Sequence, residues 1–399
     1  MTNNDKTILY QQEMISYINE KKNLYNSIIE FLDNSDDLDD GNDSYFQELI
    51  EFASNQIERD PKEMVEFLQI LKDIVDNHHR EPNFFSKINQ ILQQYSNKIK
   101  QTLSNEEIFK IFENNKIFIL FLLKNEILTI TEPIYNAIIE KYEQNDYRFC
   151  YFFYPELEKF IGVEKMKEIK NELLLECPDF FDNYDKKRQE GENDSYICSL
   201  IRQDSIEEFV SFVNRTNYHL SSQIKPSLFE TNIFLIENES TTLIEYSAFY
   251  GSIQIFQYLL YNNVELSSSL WLYAIHSENA ELIHLLEYNK VSPPGWETNE
   301  NNDFVRCLVE AIKCHHNDIA NYIQRNLFLK KINDQDSKDK IIESIVKHHN
   351  YFFFHIERIR KDGFIYLCMY NYDKIVDFIL KNDEDEIKSK VIKSSIILI

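Results

Sequence analysis

Three groupings of side chains in this sequence could do chemistry: paired histidines, two spaced cysteines and an acidic run around a glycine. His78-His79, His315-His316 and His348-His349 offer adjacent imidazoles, and Cys314 adjoins the second pair. Imidazole and thiolate are the usual ligands of zinc. Cys307 and Cys314, however, are seven residues apart, which on a helix places both thiols on one face, as core residues. The run Asp36-Asp37-Leu38-Asp39-Asp40-Gly41 has the glycine of a calcium loop. Leu38 takes a ligand position there, and Gln47 stands where the bidentate glutamate belongs. That run reads as a solvated linker. No H-E-x-x-H, G-x-S-x-G or G-x-x-x-x-G-K-[ST] occurs, and the scattered carboxylates form no paired-acid signature. The expectation is therefore no catalytic residue, no metal ligand, no cofactor and no enzyme.

What must carry these residues is mostly helix. The 399 residues include only 6 glycines and 8 prolines, against typical usage of about 7% and 5%. Hairpin turns, phosphate-cradling loops and strained strand-to-helix turns all consume glycine. A sandwich, a barrel or a doubly wound sheet is thus a poor fit, and an all-α fold remains. The formal net charge of −25 repels phosphate, which argues against nucleic acid and anionic membranes as partners. Six dispersed cysteines suggest reduced thiols. Met1 to Tyr10 lacks an apolar signal core, and the most apolar stretch, Ile117 to Leu123, is far short of the ~20 residues of a span. A cytoplasmic protein with no membrane insertion is expected.

Along the chain, Ile8, Ile15, Ile18, Leu24 and Ile28 mark an amphipathic helix over 1–32, followed by an acidic linker at about 33–44. Helical patterns resume at 45–57, 64–75 and 84–100. Denser apolar blocks follow at 108–123, 134–142 and 149–160. The polar stretch 182–194 suggests a division into a helical N-terminal region, 1–190, and a repeat domain, 194–399.

The repeats are anchored by TLIEYSAFYGSIQIFQYLLYNNV, residues 242–264. With Gly251 as the turn between paired helices, equivalent turns fall at Asp204, Glu278, His315, His348 and Asn371. Apolar residues recur four positions later (Ile255, Leu282, Ile319, Phe352, Ile375). They recur again eight later (Phe212, Leu259, Leu286, Ile323, Ile356, Ile379). Glu208 breaks the pattern in the first unit. The mean step of about 33 residues is the ankyrin period. His315 and His348 thereby become turn residues, a position where histidine is enriched among non-glycines.

Thr242, Ala248, Gly251, Leu259 and Leu260 match the ankyrin pattern, while Leu243, Glu245 and Ser247 depart from its proline, histidine and first alanine. Together with 269–286 and 307–324, this segment resembles the expanded ankyrin-repeat proteins of trichomonad-type protists that carry a helical domain of unknown function. The resemblance implies a helical-hairpin solenoid of degenerate repeats behind an irregular helical N-terminal region, acting as a non-catalytic intracellular scaffold. Partners would dock on the face made by loops and first helices, through Glu245, Tyr246, Tyr273, Trp296 and Glu310. The charge favours a basic or amphipathic protein segment. Trp271, on a first helix, is expected in the core. The alternative is a self-assembling structural protein joined through N-terminal helices such as Phe149–Tyr154; composition leaves the oligomeric state open.

Overall fold

The computed structural model describes residues 3–34, 44–57, 60–80, 83–144, 147–176, 181–295, 304–328 and 334–382. Every regular element among them is helical, with one isolated antiparallel bridge between Gln223 and Thr242. No helix among the described residues is long and apolar enough to cross a membrane. The chain forms two compact units. One is continuous, Ile57–Pro293; the other joins Met1–Gln56 to Pro294–Ile399. The division expected near 190 thus falls inside the continuous unit. The first helix, Asn3–Asp33, belongs with the C-terminal hairpins because Tyr25 Oη lies 3.1 Å from His315 Nδ1 and accepts from Asn317 Nδ2 at 3.1 Å. Most of the acidic linker lies outside the described residues.

Local chemistry explains the N-terminal helices of the continuous unit. Asp60 caps Pro61–Asn77 by accepting from the amide of Lys62, with proline in the first turn. Ser104 and Glu107 make a reciprocal capping box at the start of Asn105–Phe112. The block expected as one helix over 108–123 is two, because Asn115 caps a new helix, Lys116–Lys124, through the amide of Phe118 at 2.8 Å.

The stretch 149–160 also breaks. Pro155 has no amide to donate to Tyr151, so Arg148–Phe152 ends and Tyr154–Leu157 begins. The released carbonyls find other donors: Tyr184 Oη donates to the oxygens of Tyr151 (2.8 Å) and Phe152 (2.7 Å), and Arg188 Nη1 donates to Phe152 at 2.9 Å. A proline on one helix thus creates the seat for a tyrosine and an arginine on another.

Helical hairpins follow in both units. In the continuous unit Tyr196–Arg202 pairs with Ile206–Thr216, Leu243–Phe249 with Ile253–Tyr261, and Leu270–His276 with Ala280–Tyr288. In the discontinuous unit Val305–Lys313 pairs with Asn317–Tyr322, and Phe364–Met369 with Asp373–Asn382. Gln335–Lys347 stands between those two hairpins. In the continuous unit the first helix of one hairpin packs on the first helix of the next; in the discontinuous unit Gln335–Lys347 packs on both Val305–Lys313 and Phe364–Met369.

The turn phase expected from sequence holds at Asp204 (φ 48°), Gly251 (68°), Glu278 (53°), His315 (62°) and Asn371 (60°), all left-handed. It fails by one residue at His348, which has φ −102°; His349 takes the left-handed position at 49°. The buried faces decide this register, since Val346 rather than Ile345 then matches Ile312. In the second helices Ile255, Leu259, Leu282, Leu286, Ile319, Ile323, Ile375 and Ile379 are buried as expected. Phe212, Phe352 and Ile356 are only half-buried; Phe209 and Val213 fill the first hairpin's core, one step over, because Glu208 is solvated.

Five of the six turns share one backbone pattern; at Glu278 the amide of the next residue, Asn279, donates to Ser277 Oγ instead. The residue after the left-handed one donates to the carbonyl five back: Ser205 to Leu200, Ser252 to Ser247, His316 to Ala311, Asn350 to Ile345 and Tyr372 to Leu367, at 2.9–3.1 Å. In three cases that residue's side chain also reaches the preceding helix. Ser252 Oγ donates to Ile201 O (2.5 Å), Asn350 Nδ2 to Ile312 O (2.9 Å) and Tyr372 Oη to Val346 O (2.8 Å). Each acceptor sits three residues before its own left-handed turn. One recurring bond therefore ties turn to turn.

Asn350 is fully buried and also donates to Asn317 Oδ1 at 3.0 Å while accepting from the amide of Phe352. Asn350→Ala is expected to cost ~1–3 kcal/mol by stranding these groups. Ser252→Ala should cost about 1 kcal/mol, since Ile201 O keeps the amide of Asp204. Urea unfolding midpoints would check both; equal, negligible losses would remove any structural weight from the turn-to-turn bond.

Candidate partner-binding surfaces

The residues expected to face a partner are mostly interior. Glu245 is buried, closes a capping box with Thr242, and accepts from the hydroxyls of Ser267 (3.1 Å) and Ser269 (2.5 Å). Tyr246 is fully buried and accepts from Arg202 Nη1 at 2.9 Å. Tyr273 is buried against Thr241, whose hydroxyl lies 2.9 Å from its own. These three hold the hairpins together and are not available to a docking protein, a correction that follows from stacking first helix on first helix. Glu310 is half-buried and pairs with Lys313 at 3.2 Å. Trp296 lies outside the described residues, as does the run Asp36–Gly41. Trp271 is in the core as expected, with Nε1 donating to Val291 O at 2.8 Å. Cys307 and Cys314 are buried thiols, and burial pushes Cys307 far up. In the aromatic run Phe149–Tyr154, Phe149 to Phe153 are buried and Tyr154 is half-buried.

Beneath Tyr246 lies a polar cluster that sequence could not show. Arg202 Nε meets Glu192 at 2.6 Å, and its Nη1 also donates to Asn193 O at 2.8 Å. Burial opposes the charge on Arg202, but Tyr246, Glu192 and Tyr250 outweigh it and hold the guanidinium above its ordinary value. Glu230, also buried, accepts from three backbone amides: Asn193 (3.2 Å), Thr231 (2.9 Å) and Asn232 (2.8 Å). Burial pushes the neighbouring Cys198 thiol up to about 11. Nucleophiles in this cluster are held protonated, and its carboxylates are already occupied.

The same residues back a cleft of about 560 Å³. Ile224, Pro226, Leu228, Phe229 and Leu235 give it apolar walls, and Asn193 and Glu230 form a saturated polar floor. Its rim is charged: Arg148 meets Glu239 at 2.5 Å, and Lys187 meets Asp194 at 3.0 Å. Tyr147, 38% exposed, stands at the edge. Apolar walls with a few fixed polar groups suit an extended peptide or an apolar side chain.

A second surface repeats. Tyr261 and Tyr288 end successive second helices at equivalent positions, ten residues after Gly251 and Glu278, and are 78% and 85% exposed. Large aromatics displayed on this scale are the residue type that dominates interfaces. Their spacing was readable in the sequence once the turns were phased. Compared with family models, with curated proteins and with solved structures, the chain finds no match.

Proposed function

We propose that this chain is a non-catalytic helical-repeat scaffold of ankyrin type that binds another protein. The observation that carries the reading is the recurrent turn: left-handed residues at corresponding positions, the same backbone bond after five of the six, and in three of them a side chain reaching the preceding turn. Stacked hairpins of this kind exist to extend a surface while sharing one core. The surfaces available are the cleft beside Tyr147 and the exposed pair Tyr261 and Tyr288. A net charge of −25 favours a basic amphipathic segment, its apolar side against these residues.

A photo-crosslinking residue placed at Tyr147 or Tyr288 in cells is expected to capture the same partner. Ile236→Glu, which puts a charge into the cleft wall, should abolish capture from position 147 with helicity unchanged. Tyr261→Ala with Tyr288→Ala should weaken the purified complex at least tenfold. Undiminished binding by all of these variants would remove both surfaces from consideration.

A further inference from the structure

We propose that His78, His79 and Glu278 form a binding site for a divalent transition metal, zinc before others. The three come from distant parts of the continuous unit. His78 and His79 end the helix Pro61–Asn77, while Glu278 is the left-handed turn residue of the hairpin Leu270–Tyr288. One ligand atom from each converges within 4.8 Å of the others. His79 Nδ1 lies 3.2 Å from Glu278 Oε2, and the two imidazole rings are 4.4 Å apart between centroids.

These separations match a coordination edge. Zinc bonds of ~2.0–2.1 Å to imidazole and carboxylate place neighbouring ligand atoms of a tetrahedron about 3.3 Å apart. The His79–Glu278 pair already has that spacing. The ligand atom of His78 lies within 4.8 Å of the other two, and the Glu278 side chain is 36% exposed. Two imidazoles and one carboxylate are borderline donors, suited to zinc and its transition-metal neighbours rather than to calcium or magnesium. Three protein ligands leave a fourth position for water or another donor.

Two features outside the ligand set favour a cation at this place. His78 is the C-cap of a 17-residue helix, whose negative dipole end faces a metal there. Glu278 also occupies a backbone conformation that suits glycine, asparagine or aspartate, and its counterparts in the adjacent hairpins are Gly251 and Asp204. A glutamate held there spends conformational energy to place a carboxylate beside two histidines. Bound metal would clasp the end of the early helix to the turn of the last hairpin in the unit.

The test uses the full chain, stripped with chelator, and zinc titrated against a chromophoric competitor. One equivalent bound below micromolar Kd is expected, with a zinc-dependent rise in Tm. Cobalt in place of zinc should give the intense visible absorption of four-coordinate geometry. His79→Ala and Glu278→Asn should each weaken binding at least tenfold and abolish the rise in Tm. Asparagine suits the left-handed turn, so Glu278→Asn removes the carboxylate without straining the fold; unchanged metal-free circular dichroism would confirm this. The proposal is overturned by absent stoichiometric binding, by a weak octahedral cobalt spectrum, or by variants that bind as tightly as the parent. The last result would leave His79–Glu278 an ion pair only, with metal held adventitiously elsewhere.

Discussion

Arg202→Ala is expected to destabilise the continuous unit by ~2–3 kcal/mol, the range for losing hydrogen bonds to a charged group, because its pair with Glu192 is half-buried. Three bonds disappear together: to Glu192 at 2.6 Å, to Asn193 O at 2.8 Å and to Tyr246 Oη at 2.9 Å. The larger cost is what stays behind. Glu192, whose carboxyl burial already pushes up against the pull of Arg202 and Arg80, would lose the nearer of those two charges. Arg202→Lys should recover little, because an ammonium cannot satisfy three acceptors in a plane. Adding Glu192→Gln to Arg202→Ala should restore part of the loss, and the shortfall from additivity measures the pair. Urea unfolding of the four proteins decides the matter. A loss below 1 kcal/mol for Arg202→Ala would show the cluster to be well hydrated and structurally minor.

Alkaline pH should unfold the protein over a narrow interval. Burial raises Tyr273 to about 12, and Tyr184, Tyr246 and Tyr250 higher still. Tyr142 and Tyr370 also reach about 12 through burial, aided by hydrogen bonds to Glu172 and Glu343. Each folded value lies above the ~10 of an unfolded tyrosine. The stability they contribute is therefore complete below pH ~10 and lost as pH rises through the folded values. For Tyr273 alone, about 12 against ~10 stands for ~2.7 kcal/mol. Tyr184, Tyr246 and Tyr250 add in the same direction, whereas Tyr142 and Tyr370, only half-buried, add little after solvent screening. Tyrosinate absorbance should lag at pH 10 and then rise together with loss of helical circular dichroism. Tyrosines that titrate freely near pH 10 in a chain still fully helical would contradict the packing around Tyr246 and Tyr250.

Much of the helical architecture was legible because it rests on local rules. Scarce glycine and proline excluded sheets, and apolar spacing located the second helices. Four of the five turns fell where the phase of Gly251 placed them. The miss at His348 is instructive: the shared letters of E-A-I-K-C-H-H-N and E-S-I-V-K-H-H-N align the first histidines, whereas burial aligns His315 with His349. Letter identity lost to the inward direction of Ile312 and Val346. The candidate surfaces were harder to read. Glu245, Tyr246 and Tyr273 occupy first helices, and whether a first helix faces solvent or its neighbour depends on stacking, which a helical period does not encode. Arg202 with Glu192, and His79 with Glu278, meet through tertiary packing that no spacing rule reports.

The bond between Tyr25 and His315 joins residues 290 positions apart. On the ribosome, the continuous unit Ile57–Pro293 is synthesised as one uninterrupted block and has all its own contacts available once it emerges. Asn3–Asp33 meets Ser44–Ile57 early, through Phe31 with Phe46 and Gln56 with Glu20 O, but its partners His315 and Asn317 arrive only with the last quarter of the chain. During that interval the apolar face that includes Leu24, Ile28, Phe31 and Leu32, all fully or nearly fully buried in the finished fold, lacks its final cover. A nascent chain with an incompletely covered apolar helix is the kind of client that chaperones shield. Moving Met1–Gln56 to follow the C-terminus, through a flexible linker, should therefore speed refolding and leave the native hairpins unchanged.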